Sequence, residues 1–138
     1  MLSNRGAIHN RDRAKQLRDF SGLRFGNITP TDLDGLIEYQ GKGYVLIETK
    51  LNNAPLLYGQ KLALERLTDD LNRARRPTIC IIASHNSSNP NEDIDVANAI
   101  VSEYRFKGQW RMPESQYTTR HLIESFIEKI LNNNSELL

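Results

Sequence analysis

The residues whose types and spacing could do chemistry are two acids and a lysine: Asp34, Glu48 and Lys50. Glu48 and Lys50 are two positions apart, so in a β-strand both side chains project from the same side. They follow the apolar run 44–47, and charged side chains are seldom fully buried unless they are paired. This pattern predicts a reactive pair at the end of a core strand. The alternative is an exposed Glu–Lys pair on a surface hairpin.

Two carboxylates from different strands and one lysine are sufficient for metal-dependent hydrolysis of a phosphodiester. Asp34 and Glu48 can share a Mg²⁺, which prefers octahedral oxygen ligands and keeps several waters. The metal acidifies a water and orients the phosphate. The Lys50 ammonium can stabilise the transition state or help to deprotonate the water. Gln60 adds an amide that can bond a metal-bound water, a phosphate or a carboxylate, although an ordinary polar residue is the simpler interpretation of Gln60 alone.

A β-hairpin must position these groups, with strands predicted over 33–39 and 44–50 around the glycine-rich segment 40–43. Asp34 shares a face with Glu48 in only some registers, because a slip of one residue moves every side chain to the other face. We assume the register in which Asp34 lies opposite Glu48 or Lys50. Leu36 then faces the same side as Leu46.

A helix is predicted over 57–75, and Pro77 ends it. One of its faces carries Gln60, Leu64, Leu67, Leu71 and Ala74. The segment 78–84 is apolar on both faces, as expected of a strand covered on both sides. Strand 44–50, the helix and strand 78–84 therefore predict a right-handed β-α-β crossover.

The remaining segments complete the predicted order of elements. We expect a helix over 10–20, a short strand within 23–28, strands over 99–106 and 109–112, and a last helix capped by Thr118 or Thr119. Segment 94–101 could instead be helical. The order α-β-β-β-α-β with a C-terminal elaboration predicts an α/β fold, a mixed central β-sheet flanked by helices. We expect a single domain over 1–138, with its core at about 10–85 and the elaboration at about 94–131.

Composition sets wider limits. The chain has 138 residues, 38% hydrophobic and 25% charged, with a net charge of +1. Basic residues concentrate in 1–26 and 104–120, which could form a phosphate-facing surface, although a solvated mixed-charge surface is the better expectation. Cys80 is the only cysteine and is expected to be a buried thiol. No signal peptide or membrane-length apolar run is visible, so a cytoplasmic location without membrane contact is expected.

The ordered set of motifs resembles the PD-(D/E)XK nuclease superfamily. The matching segments, within about 10–85, are Thr31-Asp32-Leu33-Asp34-Gly35, Ile47-Glu48-Thr49-Lys50 and Gln60-Lys61-Leu62-Ala63-Leu64. The order of elements also resembles that superfamily's αβββαβ restriction-endonuclease-like core. The resemblance implies Asp34 and Glu48 as metal ligands, Lys50 as the catalytic lysine and Gln60 as an accessory residue near the metal or the DNA. Asp32 competes with Asp34 for the first position.

The resemblance implies a DNA endonuclease that uses Mg²⁺, with Mn²⁺ able to substitute. Compact members that this chain resembles include Holliday junction resolvases, which act as dimers, so structure-specific cleavage and a homodimer are further expectations. A second hypothesis is a non-catalytic nucleic-acid- or protein-binding module with a nuclease-like fold. A third is a nuclease subunit of a larger restriction or repair assembly. The sequence does not separate endonuclease from exonuclease activity.

Overall fold

A computed structural model describes Gly6 and residues 10–132, within two compact units, Met1–Pro30 and Thr31–Leu138. In the first unit the helix α1 (Arg11–Ala14) is one turn long, and Phe25 and Ile28 form only an isolated bridge. The helix predicted over 10–20 is therefore present but shortened to one turn, and the strand predicted within 23–28 is reduced to a single bridge. The physical reason is burial: Leu17 is 97% exposed, and a short helix without a buried apolar face is marginal in water.

The second unit contains a five-stranded mixed sheet in the order β1-β2-β3-β4-β5, in which only β2 and β3 are parallel. Its elements are β1 (Gly35–Tyr39), β2 (Gly43–Leu51), α2 (Tyr58–Arg73), β3 (Thr78–His85), β4 (Ile100–Phe106), β5 (Gln109–Arg111) and α3 (Thr119–Leu131). The predicted α/β class, with a mixed sheet flanked by helices, is confirmed. Two strands rather than three precede α2, so the predicted αβββαβ order is wrong.

The register of the hairpin is the one assumed from the sequence. Gly35 pairs with Ile47 and Leu36 with Leu46, so the ladder extended by one residue sets Asp34 opposite Glu48. Three residues connect the strands, and two of them have positive φ, Gln40 (52°) and Gly41 (69°), as is common in tight hairpin turns. The hairpin therefore brings the two predicted carboxylates to the same end of the sheet.

The two faces of the sheet are covered by different helices. On the α3 face, alternating residues of β2 and β3 pack with Phe126 in one apolar cluster, whose buried members are Val45, Ile47, Ile79, Ile81, Val101 and Phe126. Tyr104, Phe106 and Tyr117 pack against this cluster. Thr118 caps α3, its Oγ1 accepting from the His121 N–H at 3.1 Å. This face is an ordinary hydrophobic core.

The α2 face of the sheet is more polar. Leu46, Leu64 and Cys80 form its small apolar cluster, while Leu67, predicted on the inner side of the helix, is 45% exposed. Thr68 is fully buried instead. The reason is that β4 and β5 carry Arg105 and Trp110 on this face. Polar side chains of α2 form ion pairs and hydrogen bonds with these two residues. Within the described part of the chain, no helix is long and apolar enough to cross a membrane.

Ion pairs and hydrogen bonds tie α2 to β4 and β5. Arg105 donates to both carboxylate oxygens of Asp69, at 3.0 and 2.7 Å. The Trp110 indole N–H donates to Glu65 Oε1 at 2.8 Å. Arg105 belongs to the basic stretch 104–120, and its guanidinium is committed to this interface rather than to a surface that could face phosphate.

Candidate active site

The candidate site lies where β2 leaves the core, at the carboxyl ends of the two parallel strands. Glu48 is opposite Ile82 in β3, and Lys50 is opposite Ser84. The carboxyl ends of parallel strands are where open α/β sheets form their ligand crevices. Glu48 and Lys50 share the α2 face because they are two residues apart on a regular strand. The first turns of α2, which carry Gln60, cover this corner.

Glu48 is the buried centre of the site, with only 3% of its surface exposed. Its Oε2 accepts a hydrogen bond from the Asp34 backbone N–H at 3.3 Å. Desolvation first, and the negative charge of Asp34 second, raise the pKa of Glu48 from 4.5 to about 7. Hydrogen bonds from the Asp34 backbone and the Gln60 side chain oppose this rise, and the charge of Asp32 adds to it.

Asp34 lies beside Glu48 but is exposed, and one of its oxygens has a structural role. Asp34 Oδ2 accepts from both the backbone N–H and the Oγ1–H of Thr49, each at 2.8 Å. Because β1 begins only at Gly35, the Asp34 carboxylate takes the place of a strand partner for Thr49. These bonds hold the carboxylate at the strand end and leave Oδ1 for another ligand.

Thr49 is a site residue that the sequence analysis missed. In the segment Glu48-Thr49-Lys50 its side chain alternates to the opposite face from its neighbours, so spacing alone assigned it no role. Its function becomes visible only through the carboxylate of Asp34, which is distant along the chain. A Thr in the middle of the motif gave no signal of its own, since Thr is common in strands generally.

Gln60 and Asp32 complete the acidic corner. Gln60 Nε2 donates to Asp32 Oδ1 at 3.4 Å, and its amide lowers the pKa of the Glu48 carboxyl. The sequence left Asp32 and Asp34 as alternatives for the first acidic position. In the structure both influence Glu48, Asp34 by direct contact and Asp32 by its charge. Asp32 is thus a third carboxylate near the site.

Lys50 projects from β2 without an acidic partner. Its side chain is half-buried, and across residues 10–132 no carboxylate forms an ion pair with its ammonium. Lys61, at the start of α2, differs because its Nζ is 2.8 Å from Glu103 Oε1. Lys50 is therefore the cation at this corner that remains available to an anionic ligand.

The donor set suits a hard divalent cation. Glu48 and Asp34 offer carboxylate oxygens, and Mg²⁺ is commonly held by one or two carboxylates together with waters and substrate phosphates. In the described ranges, no group of three or more His, Cys, Asp or Glu side chains has the arrangement of a metal site. The described acidic side chains therefore do not by themselves form a complete metal site.

Comparisons with known proteins give no relative from which a role could be transferred. No protein-family model matches the chain, and neither a curated protein nor a solved structure matches it. Membership of the PD-(D/E)XK superfamily therefore stays a prediction from the motifs. The arrangement of Asp34, Glu48, Lys50 and Gln60 has to support any proposal about function.

Proposed function

We propose that this protein is a metal-dependent deoxyribonuclease, an endonuclease that hydrolyses phosphodiester bonds at the corner formed by Asp34, Glu48, Lys50 and Gln60. The observation that carries the proposal is the buried Glu48 carboxylate, set beside Asp34, with a Lys50 ammonium on the same face that pairs with no carboxylate of the described residues. These are hard oxygen ligands for a cation and one positive charge for an anion. A phosphodiester bound through a divalent cation needs both.

The cost of this arrangement argues against a purely structural role. A buried carboxylate loses hydration, and a second acid beside it adds repulsion, so the corner destabilises the fold as it stands. A structural ion pair would offset this cost by moving Lys50 onto Glu48 or Asp34. In the structure the Lys50 ammonium forms no ion pair with Glu48 or Asp34. This is the arrangement expected of a site that binds a cation at the carboxylates and an anion at the lysine.

Each residue has a separate task in the proposed reaction. Asp34 and Glu48 would hold Mg²⁺, which supplies Lewis acidity toward the phosphate and toward a water. Thr49 fixes Asp34 Oδ2, which orients the carboxylate. Lys50 places its ammonium against the phosphate and stabilises the charge that grows in the transition state. Gln60 donates to Asp32, and its amide favours the charged form of Glu48.

The test is a cleavage assay on supercoiled plasmid, linear duplex, circular single-stranded and branched DNA, with Mg²⁺, Mn²⁺ or EDTA. We expect cleavage that needs the metal, and loss of about 100-fold or more in rate for Lys50→Ala, the usual effect of removing one group that stabilises the transition state. Lys42→Ala is the matched control, because Lys42 is an exposed lysine in the hairpin turn of the same strand pair.

The result that would overturn the proposal is equally specific. If the wild type cleaves none of these substrates with either metal, or if Glu48→Gln and Lys50→Ala cleave as fast as the wild type, the corner is not a nuclease site. Cleavage of the circular single strand or the supercoiled plasmid separates an endonuclease from an exonuclease, because neither substrate has an end. A sizing column run with and without DNA tests the expected homodimer.

A further inference from the structure

A polar cavity of about 720 Å³ adjoins the candidate active site, and the proposed chemistry does not use it. Its wall includes Asn52 and Asn53, which directly follow β2, and Ser84, which lies opposite Lys50 in the β2–β3 ladder. Neighbouring strands are about 4.8 Å apart. The wall of the cavity therefore includes Ser84, the residue beside Lys50 in the neighbouring strand.

Hydrogen bonds between three segments fix the wall of this cavity. The Asn52 N–H donates to the His85 carbonyl at 2.8 Å, and the Asn53 N–H donates to Ser84 Oγ at 2.9 Å. Ser102 Oγ–H donates to Asn53 Oδ1 at 2.7 Å. Asn52 and Asn53 have φ of 50° and 60°, a left-handed conformation that asparagine tolerates better than most residues. The cavity is thus a formed feature of the fold.

The lining offers amides that the fold itself does not use. Among the residues that the structure describes, the side chains of Asn52, Asn86 and Gln116 make no hydrogen bond, whereas Asn98 Nδ2 donates to Asp95 at 2.6 Å. A free carboxamide presents a donor and an acceptor side by side, the pattern that pairs with the edge of a nucleobase. The imidazole of His85, also in the lining, adds a flat ring on which a base can stack.

The charges of the lining favour a base over a phosphate. Glu92, Asp93 and Asp95 line the cavity, and its described lining contains neither lysine nor arginine. Carboxylates repel phosphate but accept hydrogen bonds from the N–H groups of base edges. A nucleotide with its phosphate at Lys50 and its base in the cavity would satisfy both groups. The phosphate would face the Lys50 ammonium, and the N–H groups of the base would face the carboxylates of the lining.

We propose that this cavity binds one unpaired nucleobase of the DNA strand whose phosphate lies at Lys50. A base inside a duplex is paired and stacked and cannot enter a pocket without leaving the stack. The substrate class is therefore DNA with an unpaired nucleotide beside the bond to be cut, as in bulges, flaps, junctions and single strands. This inference rests on the proposed function for the position of the phosphate.

The test compares three fluorescent duplexes that differ at one position: fully paired, with one bulged deoxyadenosine, and with an abasic bulge. Anisotropy with the full-length chain in Ca²⁺ measures binding, and a parallel reaction in Mg²⁺ measures cleavage. We expect the wild type to bind the adenine bulge at least about tenfold more tightly than the abasic bulge, the contribution of one well-made base contact.

Two lining variants and two matched controls connect that preference to the cavity. Asn86→Ala and Gln116→Ala should each reduce the preference for the adenine bulge, and the double variant should abolish it. Asn91→Ala and Gln109→Ala should retain it, because these are exposed amides outside the lining. Equal binding of the adenine and abasic bulges by the wild type would overturn the inference, as would equal loss in the lining variants and the controls.

The two proposals can fail separately. Cleavage that depends on Lys50 but ignores the base would leave the nuclease standing and refute the cavity as a base site. A base preference that depends on Gln116, without cleavage of any substrate, would support the base site and refute the nuclease.

Discussion

Replacing Glu48 by Gln should stabilise the protein near neutral pH in the absence of metal. The side chain is 3% exposed, and its pKa is raised from 4.5 to about 7 by desolvation and by the charge of Asp34. The substitution keeps the size of the side chain and removes the charge. It therefore isolates the cost of holding an ionised carboxylate at this corner.

The sign follows from proton binding. Between pH 4.5 and about 7 the folded protein holds a proton on Glu48 that the unfolded chain has released, so the free energy of unfolding falls as the pH rises. A difference of about 2.5 pH units, at about 1.4 kcal/mol each, amounts to about 3 kcal/mol. Glu48→Gln should recover up to about that amount above pH 7 and almost none of it below pH 4.5.

Urea unfolding in EDTA at several pH values between 4 and 8.5 measures the effect. Glu128→Gln, at an exposed position of α3, is the control and should follow the wild type at every pH. Mg²⁺ at a hundredfold excess over its dissociation constant should then stabilise the wild type by about 2.7 kcal/mol and leave Glu48→Gln unchanged. The reasoning is refuted if Glu48→Gln is no more stable than the wild type at pH 8.

Three further predictions concern packing and reactivity. Asp69→Ala should lower the free energy of unfolding by about 3 kcal/mol, because it leaves the nearly buried Arg105 without its principal partner. Asp70→Ala removes only an exposed ion pair and should lower the free energy of unfolding by less than about 1 kcal/mol. Gly43→Ala should cost about 1–3 kcal/mol, since a Cβ would lie 2.6 Å from a backbone oxygen, while Gly59→Ala meets nothing and should stabilise α2 slightly. Burial raises the pKa of Cys80 to about 12, so its thiol should react with a disulfide reagent at pH 8 only after unfolding.

Urea unfolding checks the first two of these predictions, and absorbance of the released thiolate checks the third. Equal losses for Asp69→Ala and Asp70→Ala would show that burial of the Arg105 pair does not matter. A Gly43→Ala variant as stable as the wild type would mean that the chain near Pro77 moves aside at no cost. Reaction of Cys80 in the native protein at the rate of an exposed thiol would contradict its burial.

The sequence predicted the elements whose apolar pattern is strong. The hairpin, α2, β3 and α3 lie within two residues of the predicted bounds, because each has a regular apolar period and a clear boundary, such as Pro77 after α2 or the N-cap Thr118 before α3. The N-terminal helix and strand are shorter than predicted for the opposite reason. Their few apolar residues, among them Leu17 and Phe25, remain largely exposed, so nothing holds a regular element together there.

The side of α2 that packs on the sheet could not be predicted from hydrophobicity. The sequence favoured Leu67 as an inner residue, yet the helix buries Thr68 and sets Asp69 against Arg105. The face of a helix that packs on a sheet depends on the side chains that the sheet carries there. In this protein they are Arg105, a cation that pairs with Asp69, and Trp110, whose indole N–H donates to Glu65. These partners are more than thirty positions away along the chain, so no local period contains them.

The candidate site, too, could be predicted from the sequence only in part. The sequence by itself determined that Glu48 and Lys50 share a face, because the period of a strand depends on the backbone alone. It could not determine that Asp34 lies opposite Glu48, that Thr49 holds the Asp34 carboxylate, or that Lys50 lacks an acidic partner within the described residues. Those facts depend on strand register and on which groups compete for each charge. The strand register and the pairing of the charged groups are determined only when distant segments pack together. Burial then decides which hydrogen bonds and ion pairs are strong enough to form.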